Sequence, residues 1–192
     1  MDYCILKSNY DIDKLLIDLK IAYDLHDFIN PKKFNNSFSI SDKTYGWEAL
    51  PLHTLNGTIG NKATIPIEIK KNTVYKPNYI LKQCKYIQKI LNDLNTEIYL
   101  VRIMKLKKNG FIAPHKDKFI DNKNVIRCQL PLISNDDIDF IINKKIYHLE
   151  IGNLYYINVL KDHSVKNNSN YDRISLIIDL KPTKSLLEII NN

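Results

Sequence analysis

His115 and Asp117 flank a single lysine in the segment Ala113-Pro-His-Lys-Asp117. In an extended chain, residues two apart point to one face, so an imidazole nitrogen and a carboxylate oxygen can approach a common point. A third donor from another strand would complete a facial triad. That donor set leaves three positions open on a six-coordinate metal and is diagnostic of non-haem Fe(II) oxygenases. His163, 48 residues further on at the start of a late strand, is the natural third ligand. The His-x-Asp pair by itself is a weak signal, since any two polar residues at a strand end satisfy it. What sharpens it is Arg173, ten residues past His163, with Ser175 two positions beyond on the same face. A guanidinium fork beside a hydroxyl is a receptor for a carboxylate, because paired hydrogen bonds to a charged acceptor are short and directional. A metal triad followed one strand later by an arginine is what a 2-oxoglutarate site requires. The metal takes the 2-oxo acid end and Arg173 the far carboxylate. The other histidines read as packing or surface groups: His26 on a first helix, His53 in a polar loop and His148 in a hairpin.

The elements that must position these residues follow from periodicity. From Thr96 the apolar period changes from 3.6 to 2. Strands are predicted over 97–106, 111–114, 125–133, 138–142, 146–151, 154–159, 163–166 and 173–180. Segments with turn chemistry separate them, beginning with Lys107-Lys-Asn-Gly110. Eight short strands with no long helix between them favour antiparallel closure over a parallel α/β sheet. The predicted fold is therefore mainly β with flanking helices, a double-stranded β-helix (jelly roll, cupin-like) whose open mouth holds the site. Upstream, amphipathic helices are predicted over 11–29 and 78–94, with a β-like piece over 37–41. The only tryptophan, Trp47, and Tyr45 could line the mouth or lie in the core. Residues 1–192 read as a single domain: a mixed support region over 1–95, the β-helix core over 96–180 and a tail over 181–192.

Composition excludes several classes. The chain has 192 residues, 44% hydrophobic and 26% charged, an ordinary globular balance with room for one good core. No apolar run reaches a membrane span of about 18 to 20 residues. The N-terminus carries Asp2 and no long apolar stretch, so it does not read as a secretory signal, and a cytoplasmic location is expected. Cys4, Cys84 and Cys128 are odd in number and form no CxxC, which argues against a disulfide framework or a zinc finger. The net charge of +7 is carried by lysines scattered among acids, whereas a nucleic-acid footprint would be clustered, so nucleic acid is not the expected partner. Only three of the 28 basic residues are arginines, and Arg102, Arg127 and Arg173 all fall in the β-rich part. In so lysine-rich a chain, an arginine is expected where a planar fork of donors is needed, although a buried ion pair serves as well.

Longer motifs bring out a resemblance. The segment from Arg102 through Leu106, Gly110 and Ile112 to His115 and Asp117 resembles the "R-x-x-x-L-x-x-G-x-x-I-x-x-H-x-D" segment of the aspartyl/asparaginyl β-hydroxylase family of Fe(II)/2-oxoglutarate dioxygenases. Arg127-Cys-Gln-Leu-Pro-Leu132 resembles its "R-x-H-x-P-L" strand, and Asn158 to Asn167 followed by Arg173 to Asp179 resembles its ending. The resemblance implies Fe(II) on His115, Asp117 and His163, and 2-oxoglutarate held by Arg173 with Arg127 near the same pocket. Gln129 stands where many members have histidine and can still donate a hydrogen bond to the co-substrate. The implied reaction consumes O2 and 2-oxoglutarate, yields succinate and CO2, and hydroxylates an aspartyl or asparaginyl side chain, a free amino acid or a short peptide. Asn158 and Asn167 are assigned to loop shape, and Asp179 to a structural cap. Two other classes stay open: a jelly-roll metal enzyme with different chemistry, and a non-catalytic binding module on the same fold.

Overall fold

The computed structural model describes residues 1–30, 43–60, 63, 73–117 and 120–191. The β-like piece expected over 37–41 lies outside them. The chain opens with strand β1 (Tyr3–Lys7) and helix α1 (Ile12–Leu25). Asp11 caps α1 by accepting the Lys14 N–H at 3.1 Å. The helix stops four residues short of the expected end because Ile29 exchanges both backbone hydrogen bonds with Ala49, each at 2.9 Å. Ala49 lies on strand β2 (Tyr45–Leu55), which is followed by strand β3 (Tyr75–Pro77) and helix α2 (Lys85–Asp93). The expected helix over 78–94 is thus only its second half. Asn78 Oδ1 instead accepts the N–H groups of Ile80 and Leu81 at 3.0 and 3.1 Å, closing a turn before the helix. Cys84 offers α2 no side-chain cap, and Asp18 of α1 supplies it from across the core, accepting the Ile87 N–H at 2.7 Å.

Strand β4 (Ile98–His115) corrects the predicted turn at 107–110, since it runs unbroken for 18 residues. It bends there instead of reversing. Asn109 takes a left-handed φ of 58°, and a Cβ on Gly110 would stand 2.6 Å from the Lys107 carbonyl oxygen. The first half of β4 lies between β2 and β10 (Arg173–Leu180), and the second half pairs with β9 (His163–Asn167). The remaining strands are β5 (Ile126–Ile133), β6 (Ile138–Ile142), β7 (Lys145–Tyr147) and β8 (Leu154–Ile157). The strand expected over 146–151 is cut to β7. The order β1-β8-β5-β10-β4-β9-β6-β7 forms one antiparallel sheet that curls on itself, the predicted jelly roll. The expected tail carries helix α3 (Lys184–Asn191), whose Ile190 is buried against the core. No helix among the described residues is long and apolar enough to cross a membrane.

Two apolar clusters show why the strands alternate as they do. On β10 the even residues Ile174, Leu176, Ile178 and Leu180 join a core shared with the helices. Cys128 and Leu130 of β5, and Val101 and Ile103 of β4, lie in that same cluster. The odd residues of β10 face into the roll, and so do Arg127 and Gln129 of β5 and Arg102 and Met104 of β4, because directly opposite residues share a face. A smaller cluster that includes Phe140, Ile157 and Val165 lies inside the roll. All three arginines therefore belong to the inward face.

Candidate metal centre and its pocket

His115 ends β4 and His163 begins β9, directly opposite each other in register. A bulge between Ile112 and His115 sets that pairing, and such irregularities re-aim side chains next to sites. The ring centroids are 4.2 Å apart. His115 Nδ1 lies 2.8 Å from the Ala113 carbonyl oxygen, and His163 Nδ1 lies 3.0 Å from that of Lys161. A carbonyl only accepts, so each Nδ1 donates its proton and each Nε2 keeps its lone pair for a ligand. Asp117 follows the end of β4, where its N–H donates to Val159 O at 3.0 Å. His115 Nε2 stands 3.8 Å from Asp117 Oδ1, and His163 Nε2 stands 4.0 Å from Oδ2.

One ligand atom from each of the three residues lies within 4.8 Å of the others. These separations are too long for hydrogen bonds between them. The two Asp117 separations lie within the roughly 4.2 Å that two bonds of about 2.1 Å can bridge at most, so a shared cation would draw the three groups somewhat closer. The donor set of two neutral nitrogens and one carboxylate suits a first-row divalent metal. Burial and the neighbouring His115 push the His163 imidazole down to about 4, which keeps it neutral and able to ligate at neutral pH. Burial raises the Asp117 carboxyl, but Arg127, His163 and His115 outweigh it and hold the group below the ordinary aspartate value.

The triad opens on a small pocket of about 120 Å³. Trp47, Arg102, Met104, Gln129, Phe140 and Arg173 contribute to its wall. Arg173 is 3% exposed and lies 5.7 Å from the centroid of the Phe140 ring. No carboxylate pairs with it among the described residues. Burial alone lowers its guanidinium to about 10. Ser175 is fully buried two residues on, and its hydroxyl has no hydrogen-bond partner. Gln129 Nε2 and Trp47 Nε1 are likewise buried without a partner. These orphans of the wall are N–H donors, so the pocket is built for a ligand rich in acceptors.

Arg127 is placed differently from the other candidate contacts. Its Nε and Nη2 donate to the two oxygens of Asp179 at 2.6 and 2.8 Å, and its Nη1 donates to Asp117 Oδ2. Asp179 is 2% exposed, and this corrects its reading as a cap: it is the buried acid that holds Arg127. Sequence spacing could have suggested the pair only once β5 and β10 were known to be neighbours. Asn167 does shape a loop, with Nδ2 at 3.0, 3.1 and 2.9 Å from the carbonyl oxygens of Leu106, Lys107 and Tyr171. His53 lies on β2, with Nδ1 2.8 Å from Tyr99 O, and not in a loop. His26 and His148 also lie apart from the triad, their Nδ1 atoms near the carbonyl oxygens of Asp27 and Ile138.

Fold and pocket together define a double-stranded β-helix protein with a candidate His-Asp-His metal site at its mouth. The family described as Aspartyl/Asparaginyl beta-hydroxylase matches residues 19–182, and the chain belongs to it. Among curated proteins, an L-proline cis-4-hydroxylase of Rhizobium meliloti (strain 1021) is 24% identical over 181 residues, 92% of this chain. The chain spans 62% of that relative's length. Among solved structures, an oxidoreductase of the 2OG-Fe(II) oxygenase family from Burkholderia pseudomallei superposes with a TM-score of 0.59 at 11% identity, covering 94% of this chain and 85% of that one. A prolyl hydroxylase from Trichoplax adhaerens, in complex with a hypoxia inducible factor peptide fragment, superposes with a TM-score of 0.58 at 11% identity, covering 97% and 86%. At such identity the likeness is one of fold.

Proposed function

We propose that the chain is an Fe(II)- and 2-oxoglutarate-dependent dioxygenase that hydroxylates an amino acid, free or in a short peptide, with succinate and CO2 as co-products. The observation that carries this is Arg173, a buried guanidinium that has no acidic partner among the described residues and shares a pocket with the His115, Asp117 and His163 donors. A buried charge is costly unless paired, so Arg173 calls for an anionic ligand. When bound at the triad, the metal supplies the activation of O2 that lets an unactivated C–H be hydroxylated. The side chains do the rest. His115, Asp117 and His163 hold the ion and leave one side of it open to the pocket. Arg173 takes the distal carboxylate of 2-oxoglutarate, with Ser175 beneath it as a second donor. Gln129 offers its Nε2–H to the other end of the co-substrate. The apolar wall, with Phe140 and Val165, excludes water from the reacting centre.

Family membership and the L-proline hydroxylase relative support an amino-acid substrate. The orphan Trp47 N–H suits an acceptor on that substrate. Under argon, Fe(II) with 2-oxoglutarate should give the purified protein a weak visible charge-transfer band. A folded protein without that band would refute the proposal. Screening free amino acids and short peptides for succinate release by mass spectrometry then identifies the substrate.

A further inference from the structure

We propose that Asp179 and Arg127 form a clamp that grips Asp117 and so fixes the orientation of that carboxylate as a metal ligand. The inference rests on the reading of His115, Asp117 and His163 as metal ligands. Asp179 and Arg127 sit directly opposite each other on β10 and β5, both facing into the roll. Asp179 takes the Nε–Nη2 edge of the guanidinium at 2.6 and 2.8 Å, which fixes the plane of the fork. The remaining nitrogen, Nη1, then projects toward Asp117 and donates to its Oδ2. So held, the carboxylate faces both imidazoles, with Oδ1 3.8 Å from His115 Nε2 and Oδ2 4.0 Å from His163 Nε2.

The consequence for the ion is specific. A hydrogen bond from outside the coordination sphere orients a ligating carboxylate. Asp117 lies beyond the end of β4, so strand pairing does not hold its side chain. Asp179 and Arg127 are 2% and 8% exposed, and little water competes for their hydrogen bonds. Arg102 adds a second positive group, with Nη2 3.7 Å from Asp179 Oδ2. Each nitrogen of the Arg127 fork already donates to an aspartate, whereas Arg173 has no acidic partner. Arg127 and Arg173 thus divide the work. Arg173 binds the co-substrate, and Arg127 and Asp179 act as positioning residues for the metal ligand.

The test uses the full chain with Co(II) alone as the probe, followed by 2-oxoglutarate on the Co(II)-loaded protein. Arg127→Lys keeps the charge and loses the fork, and Asp179→Asn keeps the size and releases the fork. Each should lower Co(II) affinity about 10- to 100-fold and change the visible spectrum of the bound ion. Arg173→Met should do the reverse, leaving Co(II) affinity and spectrum intact while 2-oxoglutarate binding is lost. A purely structural role would move the unfolding temperature of Arg127→Lys and Asp179→Asn but not the Co(II) spectrum, and would overturn the clamp. So would loss of 2-oxoglutarate affinity with Co(II) binding unchanged, the pattern of a co-substrate anchor. If Asp179→Asn fails to fold, the paired change Arg127→Met with Asp179→Leu removes both charges together and should show the same Co(II) defect. If His115→Ala leaves wild-type Co(II) binding untouched, the metal-site reading itself fails. That outcome is distinct from every pattern that overturns the clamp alone.

Discussion

Replacing Arg173 by Met should move stability and co-substrate affinity in opposite directions. Burial alone lowers this guanidinium from its ordinary value to about 10 in the folded protein. The unfolded chain therefore holds the proton more tightly, and at neutral pH the folded state is penalised by about 3 kcal/mol at 1.36 kcal/mol per unit. Met removes the charge and keeps an apolar stem against Phe140. The lost cation–π contact offsets about 0.5–2 kcal/mol of the gain. A net gain of about 1–2 kcal/mol corresponds to a rise of roughly 2–8 °C in the melting temperature of the metal-free protein. Co-substrate binding should fall steeply. Breaking one partner of a buried charge pair costs about 3–5 kcal/mol, or roughly 150- to 4,000-fold in Kd. Thermal melts without ligand and calorimetric titration of 2-oxoglutarate into the Co(II)-loaded protein read the two effects separately. A variant that is less stable than wild type and still binds 2-oxoglutarate with near-native affinity would refute the assignment of Arg173.

The sole tryptophan lines the pocket, so Trp47 emission should be quenched as Co(II) is titrated in, and His163→Ala should shift the curve; a flat response would place Trp47 away from the ion. Gly110→Ala should destabilise the protein by about 1–3 kcal/mol in urea unfolding, because the added Cβ meets Lys107 O at 2.6 Å and Leu106 Cδ1 at 2.7 Å; an unchanged midpoint would contradict the bend in β4. Burial raises the Asp121 carboxyl, but hydrogen bonds from Asn124, Val125 and Lys123 outweigh it and bring the group down to about 2. Its folded value is below its unfolded value, so its stabilisation is present above about pH 4 and is lost as pH falls toward 2. Asp121→Ala should flatten that acid limb of the stability profile, and an identical limb in the variant would count against the loop hydrogen bonds.

The strands were legible wherever one face had to be apolar. Both β6 and β10 fall where alternation places them, over 138–142 and 173–180. Errors arose where a side chain from elsewhere replaced a local signal. Lys107-Lys-Asn-Gly110 has the chemistry of a reversal. Yet Asn167, distant in sequence, gathers the Leu106 and Lys107 carbonyls and turns the segment into a bend within one strand. Apolar spacing over 78–94 suggested a single helix, but the Asn78 side chain closes a turn first and Asp18 supplies the cap of α2. Long-range hydrogen bonds of this kind leave no periodic trace.

By itself the sequence determined that His115, Asp117 and His163 have the types and spacing of a facial triad, and that Arg173 follows one strand later. These are local facts, since i and i+2 on an extended chain share a face whatever the rest of the chain does. Only the tertiary structure decided that β5 lies beside β10, which sets Asp179 against Arg127 and turns Arg127 from a prospective co-substrate contact toward Asp117. The same sheet order leaves the buried Arg173 without an acid among the described residues. Which buried charges meet depends on sheet order and register, and those are settled when the two apolar faces of the roll close.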